Sequence, residues 1–325
     1  MIIFTGGKTA GHIYPLISLI KEFNKKSIFI GYKNSLEEKI CKKENIEFIG
    51  ITPKKNKYIN MFSGYGEISK LLKKMKIDYI ISTGGYVSSS TLLYAFLKNI
   101  DLYLIEENVI MGRANKLFSK YAKKVFLVYE LENMKPKYEV VGLPIRKFNY
   151  KELTKKYDVL IIGGSLGSRP LCDIAESISR TYKVCLIAGK YYKNYTSYDN
   201  LDVIEYTDNI YSYMKSAKVI ISRAGSSTTY EIMALGIPLI LCPSEKTKDN
   251  HQYLNALYLL GKNVCKLVRE DELRNSLMPT ISLLINNDNI RLNMLSNQKK
   301  LTNTYALKKI KNIIEEDNKW VLLHI

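Results

Sequence analysis

The chain has 325 residues, a formal net charge of +18 and an apolar content of 46%, which is ordinary for a globular protein. This length is enough for two medium α/β domains. The 5 cysteines and 3 histidines are scattered, which argues against a disulfide framework or a metal site and favours reduced, buried thiols. We expect no signal peptide, and no apolar run approaches the roughly 20 residues that a membrane span needs.

The positive charge is distributed unevenly along the chain. Residues 1–150 hold 25 Lys/Arg against 13 Asp/Glu, whereas residues 151–325 hold 24 against 18. A basic first half predicts an anionic partner, which could be phosphate, nucleic acid or an acidic membrane surface. The alternative is a composition bias that places lysine on every solvated face, but it explains the asymmetry less well.

Short apolar strands alternate with helical segments in the first half. Strands are predicted at 2–5, 27–31, 79–82 and 102–105, and helices at 13–23, 36–43 and 113–122. After a break at 142–157 the pattern restarts. Strands are predicted there at 158–162, 184–188, 203–206, 219–222 and 239–243, with intervening helices and a last helix at about 304–317.

This alternation is typical of parallel sheets that are covered by helices on both faces. We therefore predict an α/β protein with two doubly wound, Rossmann-like domains facing a cleft. The first would span 1–145, with a terminal helix at about 304–325 that packs back on it, and the second 158–303. In such sheets ligands bind beyond the carboxyl ends of the strands.

The most informative segment runs from Ser222 to Pro238. An apolar strand leads into small residues, and a helix then begins that carries a carboxylate, Glu231, on its second turn. Small residues allow a ligand to approach the backbone, and a helix N-terminus offers N–H groups and partial positive charge to a phosphate. Glu231 could accept hydrogen bonds from sugar hydroxyls. The segment thus predicts a sugar-nucleotide site at a strand end.

A glycine loop also follows the first strand, where the chain reads Gly6-Gly7-Lys8-Thr9-Ala10-Gly11-His12. It imitates the end of a P-loop, but the first glycine of that motif would fall at Ile2, so the match fails. Its N–H groups could still face a phosphate. His12 could act as a base near neutral pH, although a single histidine is more often structural.

Four further turns carry residues that suit phosphates or sugars. The alternative for each is an ordinary loop that binds no ligand. They are Ser82–Ser88, Glu106-Glu107-Asn108, Gly142–Arg146 and Gly163–Gly167. A fifth segment, Asp249–Gln252, carries amides that suit sugar hydroxyls. Asp249 could instead simply cap the helix that begins there.

A basic stretch between residues 54 and 76 carries seven lysines and a single acid, Glu67, with apolar side chains interleaved. A basic surface with exposed apolar side chains fits a peripheral contact with anionic lipid. The alternative is a lysine-rich helix whose apolar side lies in the core.

Together and in this order, the segments from about residue 2 to about residue 260 resemble the MurG family. Its members transfer N-acetylglucosamine from UDP-GlcNAc to undecaprenyl-linked muramyl-pentapeptide (lipid I), which gives lipid II for peptidoglycan. The resemblance implies an inverting glycosyltransferase of the GT-B architecture without a metal or other cofactor. It also implies a peripheral location on the cytoplasmic face of the membrane, with an anionic inner membrane surface and no nucleic acid as partner.

The resemblance also implies roles for individual residues. His12 matches the candidate catalytic base, and Gly84, Gly85 and Tyr86 match the acceptor region. Glu231 matches the residue that contacts the ribose, and Thr207 matches the residue whose backbone recognises uracil. Gln252 matches the amide that recognises the GlcNAc hydroxyls. The remaining matches to substrate-binding positions are Thr9, Ala10, Gly11, Asn108, Arg146, Ser165, Ser226, Ser227 and Thr228.

Several positions depart from the family pattern. Lys8 replaces a small residue, Ile105 and Glu107 replace a histidine and a glutamine, and Leu143 replaces an asparagine. These departures lie mainly in the first domain and in the segment between the domains, so they bear on the identity of the acceptor more than on that of the donor. Two alternatives therefore remain open: a transferase or epimerase that uses a UDP-sugar with a different acceptor, and a non-catalytic, membrane-attached scaffold.

Overall fold

The computed structural model of the chain describes residues 1–7, 9–54, 56–145, 156–164, 167–245 and 247–322. Contacts among these residues divide the chain into two compact units. One is drawn from Met1–Arg146 and Thr304–Ile325, and the other from Lys147–Asn303. Each unit has its own parallel sheet and its own buried core.

The first unit alternates strands and helices from its first residues. Its elements are β1 (Ile2–Gly6), α1 (Ala10–Phe23), β2 (Ser27–Tyr32), α2 (Leu36–Lys43), β3 (Phe48–Ile51), α3 (Lys57–Leu71), β4 (Tyr79–Gly84), α4 (Ser89–Leu97), β5 (Asp101–Glu106), α5 (Arg113–Phe118), β6 (Lys124–Leu127) and β7 (Tyr138–Val140). Local signals set several of these bounds. Ser35 accepts a hydrogen bond from the Glu38 N–H at the start of α2, and α1 ends at Asn24, which has a left-handed φ of 49°.

In the part of the chain that is described, the first sheet has seven parallel strands in the order β3-β2-β1-β4-β5-β6-β7. Both faces are buried, because Ile2 and Phe4 of β1 pack in one cluster and Ile3 packs in another. The strand order reverses direction between β1 and β4. This is the switch point of a doubly wound sheet, where ligands bind at the carboxyl ends.

The second unit repeats the same plan. Its elements are β8 (Tyr157–Ile162), α6 (Arg169–Ser179), β9 (Val184–Ile187), β10 (Leu201–Ile204), α7 (Ile210–Lys215), β11 (Ala217–Ser222), α8 (Ser226–Ala234), β12 (Leu239–Leu241), α9 (His251–Gly261), β13 (Lys266–Leu267), α10 (Leu273–Asn286) and α11 (Asp288–Leu301). Its sheet is also parallel, with the order β10-β9-β8-β11-β12-β13 among the described residues. The switch point here lies between β8 and β11.

The last helix, α12 (Ala306–Leu322), belongs to the first unit. Leu307, Ile310 and Ile314 are buried in the same cluster as Ile13 and Leu16 of α1. Lys311 Nζ also donates a hydrogen bond to the Glu22 carbonyl at 3.1 Å. The chain therefore returns to its starting unit after completing the second one.

Most predicted elements are confirmed, but some bounds were wrong. The strand predicted at 203–206 is β10 at Leu201–Ile204, because it pairs residue by residue with β9 and ends where Ile204 meets Ile187. The helix predicted at 113–122 ends at Phe118, since the chain turns there to enter β6 at Lys124. The strand predicted at 239–243 ends at Leu241.

Four strands, β3, β6, β7 and β13, were not predicted. β3 and β7 are the two edges of the first sheet, and β7 has only three residues, none of them buried. The residues of β7 therefore lack the continuous apolar pattern that marks a buried parallel strand, whereas Phe48–Ile51 of β3 is an apolar run that was a usable signal. β6 is buried from Val125 to Leu127, so its apolar run was a usable signal.

Candidate active site

Most of the residues singled out in the first unit lie at the carboxyl ends of β1, β4 and β5, which are neighbours in the sheet. Thr9 is the N-cap of α1, and Ala10, Gly11 and His12 form its first turn. The Thr83 hydroxyl of β4 donates to the His12 carbonyl at 2.7 Å and so holds the start of α1 against β4.

The turn after β4 comes close to the turn after β1. Gly84 and Gly85 have positive φ angles of 78° and 86°, and a Cβ on Gly85 would lie 3.2 Å from the Gly7 carbonyl oxygen. A side chain there would therefore be both strained and crowded. Tyr86 is partly exposed beside this turn, with its ring 6.3 Å from that of Tyr32.

Glu106, the last residue of β5, is buried and organises the turn that follows it. Its carboxylate accepts hydrogen bonds from the Asn108 N–H at 3.0 Å and side-chain amide at 3.2 Å, from the Gly112 N–H at 2.8 Å and from the Asn115 amide at 2.9 Å. Burial raises the pKa of Glu106, while these N–H donors act in the opposite direction. Asn108, the predicted sugar contact, is thereby held by Glu106.

The next residue, Glu107, contacts His12. Its Oε2 lies 3.5 Å from His12 Nδ1, the carboxylate side chain is 3% exposed and the imidazole is 27% exposed. A buried carboxylate therefore lies next to a more accessible imidazole at the N-terminus of α1. The backbone of His12 is held by the Thr83 hydroxyl, and Glu107 directly follows Glu106, whose carboxylate accepts the hydrogen bonds of the turn.

In the second unit, α8 begins directly after β11, with Gly225 as its N-cap and Ser226, Ser227 and Thr228 in its first turn. The first N–H groups of any helix have no acceptor within the helix, so they can bind an anion together with the helix dipole. Glu231 lies on the second turn, as predicted. Its Oε1 accepts a hydrogen bond from the Tyr211 hydroxyl of α7 at 2.6 Å.

Buried polar contacts tie the turns after β11 and β12 together. Arg223, which is 8% exposed, donates through Nη1 to the Cys242 and Pro243 carbonyls at 3.0 and 3.2 Å and to Glu270 at 2.8 Å. The amide of buried Asn255 lies 3.4 Å from the Ala224 carbonyl. These contacts hold the backbone that leads into α8.

Gln252 lies in the first turn of α9, and its Oε1 accepts a hydrogen bond from the Ser244 N–H at 3.0 Å. The suggestion that Asp249 caps α9 is wrong. The N-cap is Asn250, no side-chain cap hydrogen bond forms, and Asp249 itself adopts a left-handed φ of 55° in the preceding turn.

Thr207 lies in the turn between β10 and α7, where its hydroxyl accepts a hydrogen bond from the Asn209 N–H at 3.1 Å. Ser165 and Arg146 lie outside the described residues, as does Lys8. Gly163, just after β8, is closely packed, since a Cβ there would lie 2.4 Å from the Ser168 nitrogen. Only a residue without a side chain fits there.

Four residues have structural roles that sequence reasoning did not assign: Glu106, Glu107, Tyr211 and Arg223. Arg223 offered a signal, because a charged residue stood between a buried strand and small residues. Glu107 offered another, as a departure from the family pattern. Tyr211 had none, since it lies in an unremarkable helical segment. No group of His, Cys, Asp and Glu side chains suited to a metal ion occurs among the residues that the structure describes.

Family models match both units. The glycosyltransferase family 28 N-terminal domain matches residues 2–127, and the C-terminal domain matches residues 158–316. The protein from Bacillus subtilis (strain 168), named UDP-N-acetylglucosamine--N-acetylmuramyl-(pentapeptide) pyrophosphoryl-undecaprenol N-acetylglucosamine transferase, is 31% identical, with 97% of this chain and 99% of the relative covered. The chain belongs to the MurG family. It is therefore a glycosyltransferase.

A second relative of the same name, from Sulfurihydrogenibium sp. (strain YO3AOP1), is 32% identical and covers 85% of this chain and 87% of its own length. Among solved structures, MurG from Acinetobacter baumannii superposes with a TM-score of 0.77 at 22% identity, covering 97% of this chain and 99% of its own. A putative UDP-N-acetylglucosamine 2-epimerase from Listeria monocytogenes gives 0.69 at 13% identity, covering 97% and 96%. The architecture of this MurG-family chain is accordingly GT-B, a fold that different chemistries share.

Proposed function

We propose that this chain is an inverting transferase that moves GlcNAc from UDP-GlcNAc to lipid I and so produces lipid II for peptidoglycan. The observation that carries this proposal is similarity along nearly the whole chain to relatives named for that reaction, as in Bacillus subtilis at 97% coverage. The strand-end sites of the two units supply groups of the chemistry that this reaction needs.

The second unit would bind the donor. Glu231 would accept hydrogen bonds from the ribose, with Tyr211 orienting its carboxylate. The first turn of α8, from Ser226 to Thr228, would bind the diphosphate, together with Ser165. The backbone of Thr207 would contact uracil, and Gln252 would contact the GlcNAc hydroxyls through its amide. Arg146 would add a positive charge near the phosphates.

The first unit would bind the acceptor through the turn Gly84-Gly85-Tyr86, the α1 N-terminus from Thr9 to Gly11, and Asn108. His12 would remove the proton of the attacking hydroxyl as that oxygen attacks C1 of GlcNAc and UDP leaves. Negative charge develops on the leaving diphosphate. Backbone N–H groups at the start of α8 would stabilise it without reorganisation.

The assay for this function is transfer of radiolabelled GlcNAc from UDP-GlcNAc to lipid I. We expect labelled lipid II with lipid I and no transfer to soluble sugars. Transfer to a soluble sugar, or conversion of UDP-GlcNAc to its C2 epimer without an acceptor, would contradict this proposal. Either result would support a transferase or epimerase that acts on a UDP-sugar without lipid I. Absence of any turnover by a folded protein that binds UDP would favour the scaffold alternative.

The base is tested in the same assay with His12→Ala. We expect kcat to fall by about 10² or more, the contribution that general bases typically make, with little change in UDP-GlcNAc affinity. A near-normal kcat would exclude His12 as the base.

We further propose that α3 and the residues after it form a peripheral contact with anionic lipid on the cytoplasmic face of the membrane. Ile68 is buried and Tyr65 packs partly on the core, so one face of α3 does belong to the interior. Its other face leaves Tyr58, Ile59 and Phe62 each 60% exposed. The lysines at positions 70, 73, 74 and 76, at the end of α3 and just after it, are exposed as well.

This surface combines apolar side chains that could enter the lipid interface with cations that attract anionic headgroups. In the described part of the chain, no helix is both long enough and apolar enough to cross a bilayer. The surface contact proposed here does not require one.

A further inference from the structure

The contact between His12 and Glu107 links two segments that are 95 residues apart in sequence. β1, which precedes His12, and β5, which precedes Glu107, lie on either side of β4. Their carboxyl ends therefore bring the two side chains to one edge of the sheet, with His12 Nδ1 and Glu107 Oε2 separated by 3.5 Å. This is ion-pair distance, slightly beyond the usual 2.7–3.2 Å of a hydrogen bond.

The burial of the two side chains differs in a way that matters chemically. The Glu107 side chain is 3% exposed, whereas the imidazole is 27% exposed. Removing a carboxylate from water is costly unless polar or charged groups compensate for the loss. Because Nδ1 faces the carboxylate, the ring is oriented with Nε2 on the side away from it.

We propose that Glu107 is a positioning residue for His12, which holds the Nδ1–H tautomer and stabilises the imidazolium that forms during transfer. This inference rests on the proposed function for its chemical step, though the pairing itself does not. Glutamine, which the family pattern has at this position, could accept a hydrogen bond from Nδ1–H but carries no charge. Glu107 adds that charge.

This step needs no reactant besides the acceptor and UDP-GlcNAc. The acceptor O–H bond breaks, its proton moves to His12 Nε2, and the oxygen forms a bond to C1 of GlcNAc. The bond from C1 to the diphosphate oxygen breaks, and its electron pair leaves with UDP. Glu107 takes no part in the proton transfer and faces a ring that changes from neutral to positive. Its attraction to the ring is therefore greater in the transition state than before it.

Charged side chains from the other elements that pack on α1 make contacts elsewhere. Glu37 of α2 lies against Gly7, where its carboxyl occupies the space that a Cβ would need. Glu44, just after α2, pairs with Lys21, and Lys311 of α12 binds the Glu22 carbonyl, both near the C-terminal end of α1. Glu107 is the carboxylate that contacts the imidazole itself.

The test uses Glu107→Gln, which keeps the shape and removes the charge, with Glu107→Asp as a variant that keeps the charge. NMR titration of the histidine C2–H signals is the first readout. His12 is one of 3 histidines and is assigned by comparison with His12→Asn. We expect His12 to lose its proton at a lower pH in Glu107→Gln than in the wild-type protein, because an adjacent negative charge favours the imidazolium.

The second readout is kcat for GlcNAc transfer to lipid I as a function of pH. We expect Glu107→Gln to lower kcat at least about tenfold, since an orienting carboxylate contributes strongly in related His-based sites. Its acidic limb should move to lower pH, with the KM for UDP-GlcNAc unchanged. Glu107→Asp should recover part of both effects.

The outcomes separate this inference from the proposed function. An unchanged His12 titration in Glu107→Gln would overturn the pairing whether or not the protein transfers GlcNAc. A shifted titration with an unshifted kcat profile would overturn the positioning role. If the wild-type protein transfers nothing to lipid I while the His12 titration shifts, the assigned reaction fails and the chemical step proposed for Glu107 fails with it, but the pairing stands.

Discussion

At the scale of single residues, the proposed donor site includes a carboxylate that is held by another side chain. Glu231 lies on the second turn of α8, and the Tyr211 hydroxyl donates to its Oε1 at 2.6 Å. This bond fixes one oxygen of the carboxylate that we propose as the ribose contact. Sequence reasoning identified Glu231 because a helix pattern placed it, but Tyr211 reaches it from a different helix.

Replacing Glu231 by Ala is expected to raise the Kd for UDP-GlcNAc by about 10- to 100-fold, the value of a hydrogen bond to a charged group. Tyr211→Phe, which removes only the hydroxyl, should raise it by about 3- to 10-fold. Isothermal titration calorimetry measures both. Unchanged affinity in Glu231→Ala would remove the ribose role, and unchanged affinity in Tyr211→Phe would remove the orienting role.

The buried carboxyl group of Glu106 links the stability of the protein to pH. Burial raises its pKa, so the folded protein holds this proton to a higher pH than the unfolded chain does. The contribution of this titration to stability is therefore complete below the ordinary Glu pKa of about 4 and is lost as pH rises through the raised value. Glu106→Gln removes the titration.

We expect the wild-type protein's unfolding free energy, relative to that of Glu106→Gln, to fall as pH rises from about 4 towards neutrality. Urea unfolding at a series of pH values measures it. A difference that grows with pH would mean that the N–H donors from Asn108, Gly112 and Asn115 outweigh the burial of the carboxylate.

At the scale of elements, α3 has two apolar faces with different environments. Ile68 is buried, while Ile59 and Phe62 are 60% exposed. The sequence offered membrane contact and core packing as alternatives, and core packing accounts for only one of the two faces. Helical periodicity alone cannot tell whether an apolar face is buried or exposed, because the tertiary fold decides which elements pack against it.

Replacing Lys70, Lys73 and Lys74 by Glu should weaken binding to vesicles that contain anionic lipid by at least about 100-fold, since each lysine near such a surface contributes about 1 kcal/mol. Phe62→Ser should weaken it at any salt concentration. Vesicle cosedimentation measures both effects. The control variant replaces three exposed lysines of the second unit by Glu, and it should bind vesicles as the wild-type protein does. These lysines are Lys262, Lys299 and Lys300.

If the α3 variants and added salt both leave vesicle binding unchanged, the membrane proposal is wrong. If the control variant loses binding equally, the attraction comes from net charge rather than from α3.

At the scale of the whole molecule, both units use one plan, with the same strand order from the first edge through the sixth strand. Some candidate residues accordingly recur at equivalent places: Gly85 and Tyr86 follow β4 in the first unit, and Ser226–Thr228 follow β11 in the second. The same plan buries all 5 cysteines, in strands, in helices and next to strand ends. Burial raises the pKa of Cys172 to about 11 and that of the others, such as Cys41 and Cys242, to about 12.

A thiol reagent at pH 8 should therefore modify none of the cysteines in the folded protein during the time in which it modifies all of them in urea, because the thiolate is the reacting form. Absorbance of the released chromophore counts the reacted thiols. Rapid modification of even one thiol without denaturant would contradict the buried placement of the cysteines.

The alternation of apolar strands and helices in the sequence determined the fold class and most elements, because parallel strands that are buried on both faces need continuous apolar runs. It also determined that Glu231 follows a helix start, since both features are local. Only the tertiary structure decided that Glu107 contacts His12, that Tyr211 contacts Glu231 and that Arg223 joins two strand ends. Each of these contacts joins segments that are distant in sequence, and strand order, which no local pattern encodes, sets which segments become neighbours.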